Sequence, residues 1–344
     1  MKNKSIPISE YGEFSLIERL HHILPKTERK DLLVDIGDDC AVIRIDPNRA
    51  LLLTCDIQVQ DRHFQLENTG VYQLGRRAMA VNLSDIAAMG GIPLYALVSL
   101  GLPPELQVDD YETLFKGMRD ELKEFQAFII GGNLAQTEKK LVIDITLVGE
   151  VHPFHFVERG GAQIGDQIYV TGEVGASAAG FHILQKYGSD YPERFRSLVE
   201  KHRQPQPRIS VGQKLAQKKL ASAMIDISDG VASDLYHICQ MSQVGAEIMF
   251  DQLPLPEQLE EVSKFCHVPE HDLSLHSGED YELLFTVKSE VSEEKLKAIA
   301  EECGVPVTHI GKIVPQNQGY SLIDKNRTRI PLQPRGWDHF KEKD

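Results

Sequence analysis

The sequence predicts two domains in one chain, an α+β half over about residues 1–152 and an α/β half over 153–344. Three observations lead there. At 344 residues the chain exceeds what one hydrophobic core usually holds. Before residue 150, strand-length apolar runs and helical spacings occur without regular alternation, whereas strand and helix signals alternate in the later part. Between the halves, the segment 153–166 carries Pro153, Gly160, Gly161 and Gly165 around Arg159, the composition of a domain crossing.

Helical spacing over 14–24 opens the chain. Two apolar runs follow, 40–45 and 51–59, separated by Asp46-Pro47-Asn48-Arg49, which is turn chemistry between strands and predicts a hairpin. A turn centred between Pro47 and Asn48 pairs Ile45 with Ala50 and, further out, Asp39 with Asp56. From about Tyr72 the apolar stripe Leu74, Ala78, Val81, Ala88 marks a long helix that ends at Gly90-Gly91 with Pro93 beyond. A strand over 95–100, a helix over 110–125 and strands over 127–130 and 141–148 come next, the last two joined by a Gly131-Gly132-Asn133 turn. In the second half a strand over 167–171 and a helix over 177–187 precede a polar, Pro-punctuated stretch over 191–208. Then come a strand over 223–227, a helix from Gly230, a strand over 281–287, a helix over 293–303 and a final run to Trp337.

Composition removes several classes. Fifty-one acidic against 37 basic side chains leave a net charge of −14, which argues against nucleic-acid or anionic-membrane partners. The five cysteines lack C-x-x-C spacing, the N-terminus lacks an apolar h-region and no apolar run is long enough to span a bilayer, so the sequence reads as a cytoplasmic protein. No P-loop, H-E-x-x-H, G-x-S-x-G or protein-kinase motif set occurs.

What the sequence does contain is carboxylates on sharp turns. In NLSDIAAMG, Asp85 stands on the apolar stripe of the long helix, more than a turn from Arg76 and Arg77. Its counter-charge therefore comes from elsewhere in the fold or from a bound cation. DIGDDCAV sets Asp35, Asp38 and Asp39 around Gly37, facing the strand that ends Thr54-Cys55-Asp56; paired like charges repel unless a divalent cation lies between them. The bland alternatives are a turn cap for Asp38 and a solvated strand end for Asp39. Asp226-Ile227-Ser228-Asp229-Gly230 runs from a strand into a helix, where Ser228 or Asp229 would serve as an N-cap, leaving Asp226 unexplained. Ser277-Gly278-Glu279-Asp280-Tyr281 precedes a strand, and by itself reads as a polar loop. The turn 171–177 offers backbone N–H groups to an anion, or simply packs tightly. His63 reads as a loop histidine or a substrate contact, and Trp337 as a packing anchor or a stacking ring.

Taken in order, GDDCAV, NLSDIAAMG, VTGEVGASAAG, IDISDG, SGEDYELLFT and GWDHF resemble the thiamine-monophosphate kinase family of the PurM-like ATP-binding superfamily, from GEFSLIERL at residue 12 almost to the end. The resemblance implies an N-terminal α+β domain whose four-stranded sheet joins its mate in a homodimer barrel, followed by an α/β domain. It implies transfer of the γ-phosphoryl group of ATP to thiamine monophosphate with several Mg²⁺ ions. By position it implies metal sites at Asp39, Thr54, Cys55, Asp56, Asp85, Asn133, Asp226 and Asp229, with Asp56, Asp85 and Asp229 serving catalysis directly. Nucleotide contacts fall at Gly132, Asn133, Arg159 and Ser228, and thiamine contacts at His63, Glu279 and Trp337.

Two departures stand out. Gly131-Gly132-Asn133 replaces the usual G-G-D, substituting a neutral amide for a carboxylate, and TCDIQVQDRHF replaces T-T-D-x-L-V-x-G-x-H-F, placing Asp61 and Arg62 before His63. They motivate two alternatives: a PurM-like enzyme with a different acceptor, and a non-catalytic nucleotide-binding homologue.

Overall fold

The computed structural model describes residues 29–335, together with Ile17, Arg19, Ile23 and Leu24. The helix expected over 14–24 lies largely outside the described residues, as does Trp337.

The first half is built on a six-stranded sheet in the order β1-β2-β3-β6-β4-β5. Its long strands are β3 (Arg49–Val59), β6 (Val142–Val151), β4 (Ile92–Leu102) and β5 (Phe128–Gln136). The four strands implied by the family resemblance are extended at one edge by β2 (Ala41–Asp46) and the three-residue β1 (Leu32–Val34). Strict alternation along β6 buries Ile143, Ile145 and Leu147 on one face. The other face leaves Ile57, Tyr95 and Leu97 exposed.

Two helices cover the buried face, Val71–Ala88 and Val108–Glu124. Their backbones touch at glycines: a Cβ on Gly75 would sit 2.1 Å from the Leu114 carbonyl oxygen, and one on Gly117 would sit 2.1 Å from that of Tyr72. Helix Val71–Ala88 buries thirteen of its 18 residues, far more than a single stripe. The reason is its position, since it also packs against helix Ile209–Gln217 and strand β8 (Ala221–Asp226) of the second half. One hydrophobic core therefore runs through both halves, from Leu52, Leu83 and Ile145 to Leu215, Met224 and Phe285.

The second half contains a seven-stranded sheet that adds β10 (Leu283–Val287), β11 (Val307–Val314) and β13 (Arg329–Pro331). Its order is β13-β12-β9-β11-β7-β10-β8, antiparallel except where β9 (Gly245–Met249) pairs with β12 (Tyr320–Ile323). Strand β7 (Gln167–Thr171) and helix Glu293–Cys303 have the bounds read from sequence. Helix Arg196–Arg203, in the stretch expected to be irregular, has only two aliphatic residues among charges, yet Leu198 and Val199 are buried against helix Ala176–Tyr187. No helix among the described residues is long and apolar enough to cross a membrane.

Two local expectations are corrected. The hairpin turn forms at Pro47-Asn48, but Ile45 bulges out between Arg44↔Ala50 and Asp46↔Arg49. Pairing beyond it shifts by one residue, and β2 begins only at Ala41, so Asp39 does not face Asp56 across a ladder. The Gly131-Gly132-Asn133 turn does not exist either. These residues continue β5, an exposed edge strand parallel to β4. Gly132 has φ 151°, and a Cβ there would lie 1.8 Å from the Val98 carbonyl oxygen, so glycine serves close strand approach rather than reversal.

The helix contact makes a direct prediction. Gly75→Ala forces the two helices apart and is expected to cost about 2 kcal/mol of stability, read by urea denaturation; an unchanged midpoint would refute the close packing.

Candidate active site

Three separate elements deliver three carboxylates to one place. Asp39 follows the Gly37 turn ahead of β2, Asp85 lies near the end of helix Val71–Ala88, and Asp226 ends β8. One oxygen from each lies within 4.8 Å of the others. On β3, alternation turns Thr54 and Asp56 toward the helix-covered face, and the Thr54 hydroxyl donates to Asp85. Asp56 is close enough for its charge to act on both Asp85 and Asp226.

Among the described residues, one base, Arg159, is paired with this concentration of acid. Arg159 donates from Nη2 to Asp39 Oδ1 at 2.6 Å, and its backbone N–H is fixed by Asp38 at 3.0 Å. Asp39 Oδ2 is buried with no hydrogen-bond partner. Burial, followed by the neighbouring charge of Asp56, pushes the Asp85 carboxyl well above its ordinary range; burial and Asp39 push Asp226 up to about 8. Burial and Asp39 likewise push Asp38 up to about 7. Protons relieve the repulsion here when no cation does.

The donor set therefore fits a hard divalent cation: carboxylate oxygens, one of them buried and unpartnered, beside the Thr54 hydroxyl. The solvated-strand-end reading of Asp39 fails, because its side chain is wholly buried. Asp38 does serve its turn, accepting the Asp39 N–H at 2.9 Å.

Several acids have structural partners instead. Neither Ser228 nor Asp229 caps helix Val231–Ser242; its N-cap is Gly230, and the N–H groups of Asp229 and Gly230 are taken by Asp234 at 3.3 and 3.0 Å. Sequence reading missed Asp234, whose signal is an acid in the first helical turn. At the turn 171–177 the anion is internal: Asp280 accepts from the N–H groups of Gly175 and Ser177 at 2.7 and 3.0 Å. Glu282 accepts from Arg208 Nε and the Thr171 hydroxyl, each at 2.6 Å. The segment 277–281 is a polar loop at a strand start, with Asp280 and the following Glu282 tied into the fold.

Glu279 holds a different position. It has φ 69°, its N–H donates to the Ser228 carbonyl at 2.8 Å, and its Oε1 accepts from Arg77 Nη2 at 2.5 Å. A Cβ on Gly278 would lie 1.9 Å from that same Ser228 oxygen, so only glycine lets the two strand ends meet. The charge of His63 reaches Glu279, which places the two expected acceptor contacts together. The Val59 N–H donates to His63 Nδ1 at 2.9 Å.

Other expected residues fall elsewhere. The Cys55 side chain projects to the opposite sheet face from Thr54 and donates to Asp144 Oδ1 at 3.0 Å, so its thiol does not join the cluster. Gly132 and Asn133 lie on exposed β5, three strand spacings or roughly 14 Å from β3 across the sheet. Arg159, expected at the nucleotide, is paired with Asp39.

Comparisons with known proteins agree with this architecture. Residues 37–151 match the AIR synthase related protein N-terminal domain, and 163–324 match the AIR synthase related protein C-terminal domain. Thiamine-monophosphate kinase of Bacillus subtilis is 34% identical over 96% of this chain and 99% of its own length; that of Escherichia coli K12 is 38% identical over 96% and 98%. The chain belongs to the thiamine-monophosphate kinase family. Among solved structures of that family, AaThiL complexed with AMPPCP and TMP superposes with a TM-score of 0.84 at 32% identity, covering 98% of this chain and all of that one. The thiamine-monophosphate kinase of Stenotrophomonas maltophilia gives 0.74 at 33% identity, covering 90% and 96%. Hydrogenase maturation protein HypE, at 17 to 20% identity, shares the fold.

The acid cluster predicts a signed pH dependence. Because folding raises the Asp226 carboxyl from 3.8 to about 8, its contribution to stability is complete below 3.8 and is lost as pH rises through about 8. Melting curves of metal-free protein should fall over that window more steeply for wild type than for Asp226→Asn. Mg²⁺ should raise the wild-type melting temperature at pH 8 and leave the variant nearly unmoved. Equal Mg²⁺ responses in both proteins would contradict a cation held by Asp226.

Proposed function

We propose that the chain transfers the γ-phosphoryl group of ATP to thiamine monophosphate, giving thiamine diphosphate and ADP. One observation carries the proposal: three converging carboxylates with a buried, unpartnered oxygen. It stands in a chain that aligns nearly end to end with kinases of this name, and with a structure holding AMPPCP and TMP.

Asp39, Asp56, Asp85, Asp226 and Asp229 would hold Mg²⁺, with the Thr54 hydroxyl beside them. When bound, the ions neutralise the charge of the triphosphate. The protein's own work is positioning. The acceptor phosphate is already an anion, so direct in-line attack needs neither general base nor phosphoenzyme. Arg159 is placed to exchange Asp39 for a nucleotide phosphate, with Ser228 and the β5 glycine edge as further nucleotide contacts. His63 and Glu279 face the thiamine moiety. Asn133 can still offer one amide oxygen. A homodimer belongs to the same proposal, and the exposed apolar sheet face carrying Ile57, Tyr95 and Leu97 supports it.

Incubation with ATP, Mg²⁺ and thiamine monophosphate, scored by mass, should yield thiamine diphosphate. Turnover should drop by about two orders of magnitude or more in Asp85→Asn, with the circular dichroism spectrum retained. Absence of product with thiamine monophosphate but ADP release with another phosphate acceptor would replace the substrate assignment. Mg-ATP binding without any turnover would leave a nucleotide-binding homologue.

A further inference from the structure

We propose that Arg77 is a positioning residue for acceptor recognition: it holds the Glu279 carboxylate so that its free side accepts an N–H from the acceptor's aminopyrimidine ring. The inference rests on the reading of Glu279 as an acceptor contact.

Arg77 starts on the long helix of the first half and ends in the second. Its side chain is 2% exposed, and its guanidinium donates to the His202 carbonyl and to Glu279 Oε1. A buried guanidinium is a costly way to fill space, and a well-packed Met or Leu would do so without desolvating a charge. What an aliphatic chain lacks is a fork that grips a carbonyl and a carboxylate in fixed directions. Glu279, by contrast, keeps 35% of its side chain exposed. It is therefore held from within and open from without.

The groups around Glu279 leave Arg77 the decisive charge. His202 Nδ1 lies 3.8 Å from Glu279 Oε2 and 3.0 Å from the Ser177 hydroxyl; burial pushes this imidazole down to about 4, so it is neutral. His63 receives the Val59 N–H at Nδ1, and its charge acts on Glu279 less strongly than that of Arg77. Tyr281, also facing Glu279, stays a neutral phenol because burial and Glu279 push it well up. Arg77 holds the Glu279 carboxyl below its ordinary range against desolvation.

A carboxylate kept ionised only accepts hydrogen bonds, so it selects a ligand presenting a donor. The amino group of thiamine's pyrimidine is such a donor; the oxo group of oxythiamine is not. Distance fits as well. Arg77 and Asp85 are eight residues apart on one helix, roughly 12 Å along its axis, so one rigid rod carries both the ring-side and the phosphate-side anchors.

The test is steady-state kinetics of wild type, R77M, R77K and E279Q at saturating Mg-ATP, with thiamine monophosphate and oxythiamine monophosphate as acceptors. R77M is expected to raise KM for thiamine monophosphate about tenfold or more, with kcat and KM for ATP within about twofold. The preference over the oxo analogue should shrink by about tenfold. R77K, which keeps the charge without the fork, should recover part of both, and R77M/E279Q should be no worse than E279Q alone. An unchanged KM for thiamine monophosphate in R77M, or an equal rise for ATP, overturns the inference. If melting curves show R77M unfolded, R77K decides: wild-type KM and acceptor preference there overturn it. A wild-type chain that makes no thiamine diphosphate removes the functional reading itself, and this inference with it.

Discussion

The structure depends on an unfavourable interaction that the fold holds in place. Asp39, Asp85 and Asp226 arrive from a turn, a helix and a strand end and share a space in which like charges repel. No local preference would bring them together. They converge because the elements behind them are locked by apolar packing: a helix buried on most sides, a sheet covered on one face and a core common to both halves. Arg159 neutralises one of the three, Asp38 fixes its backbone, and the Thr54 hydroxyl orients Asp85. The crowding of these like charges is thus sustained by apolar burial elsewhere.

The acids of the sequence motifs divide by what their neighbours offer. Asp280 caps a helix, Asp234 closes the turn before another, and Glu282 grips Arg208. Each has satisfied oxygens. Asp39 does not, and Glu279 is paired yet still partly open to solvent. An unpartnered buried oxygen sets Asp39 apart, residual exposure sets Glu279 apart, and Asp85 and Asp226 stand out by crowding against Asp39.

That division was only partly legible in the sequence. The isolation of Asp85 on an apolar helix and the unexplained Asp226 were readable from spacing alone, as were the bounds of β7 and of helix Glu293–Cys303. The partners were not, because Asp280 meets Gly175 across 105 residues and Arg77 meets Glu279 across 202. The bulge at Ile45 escaped because a single extra residue leaves no compositional mark. At Gly131-Gly132-Asn133 the composition misled, since glycines required for contact between adjacent strands look the same as glycines required for a turn. Helix Arg196–Arg203 was hidden by charge, although its carbonyl end receives Arg77.

The apolar interior common to both halves bears on how molecules enter and leave. Enzymes built from separately packed lobes can swing open about a linker, but here helix Val71–Ala88 packs against elements of either half and its core is shared by both. A hinge swing of the two halves would have to break that shared packing, whereas side-chain rotation and loop shifts, motions of nanoseconds to microseconds, would not. The three converging carboxylates are thus held together by the same packing that joins the two halves.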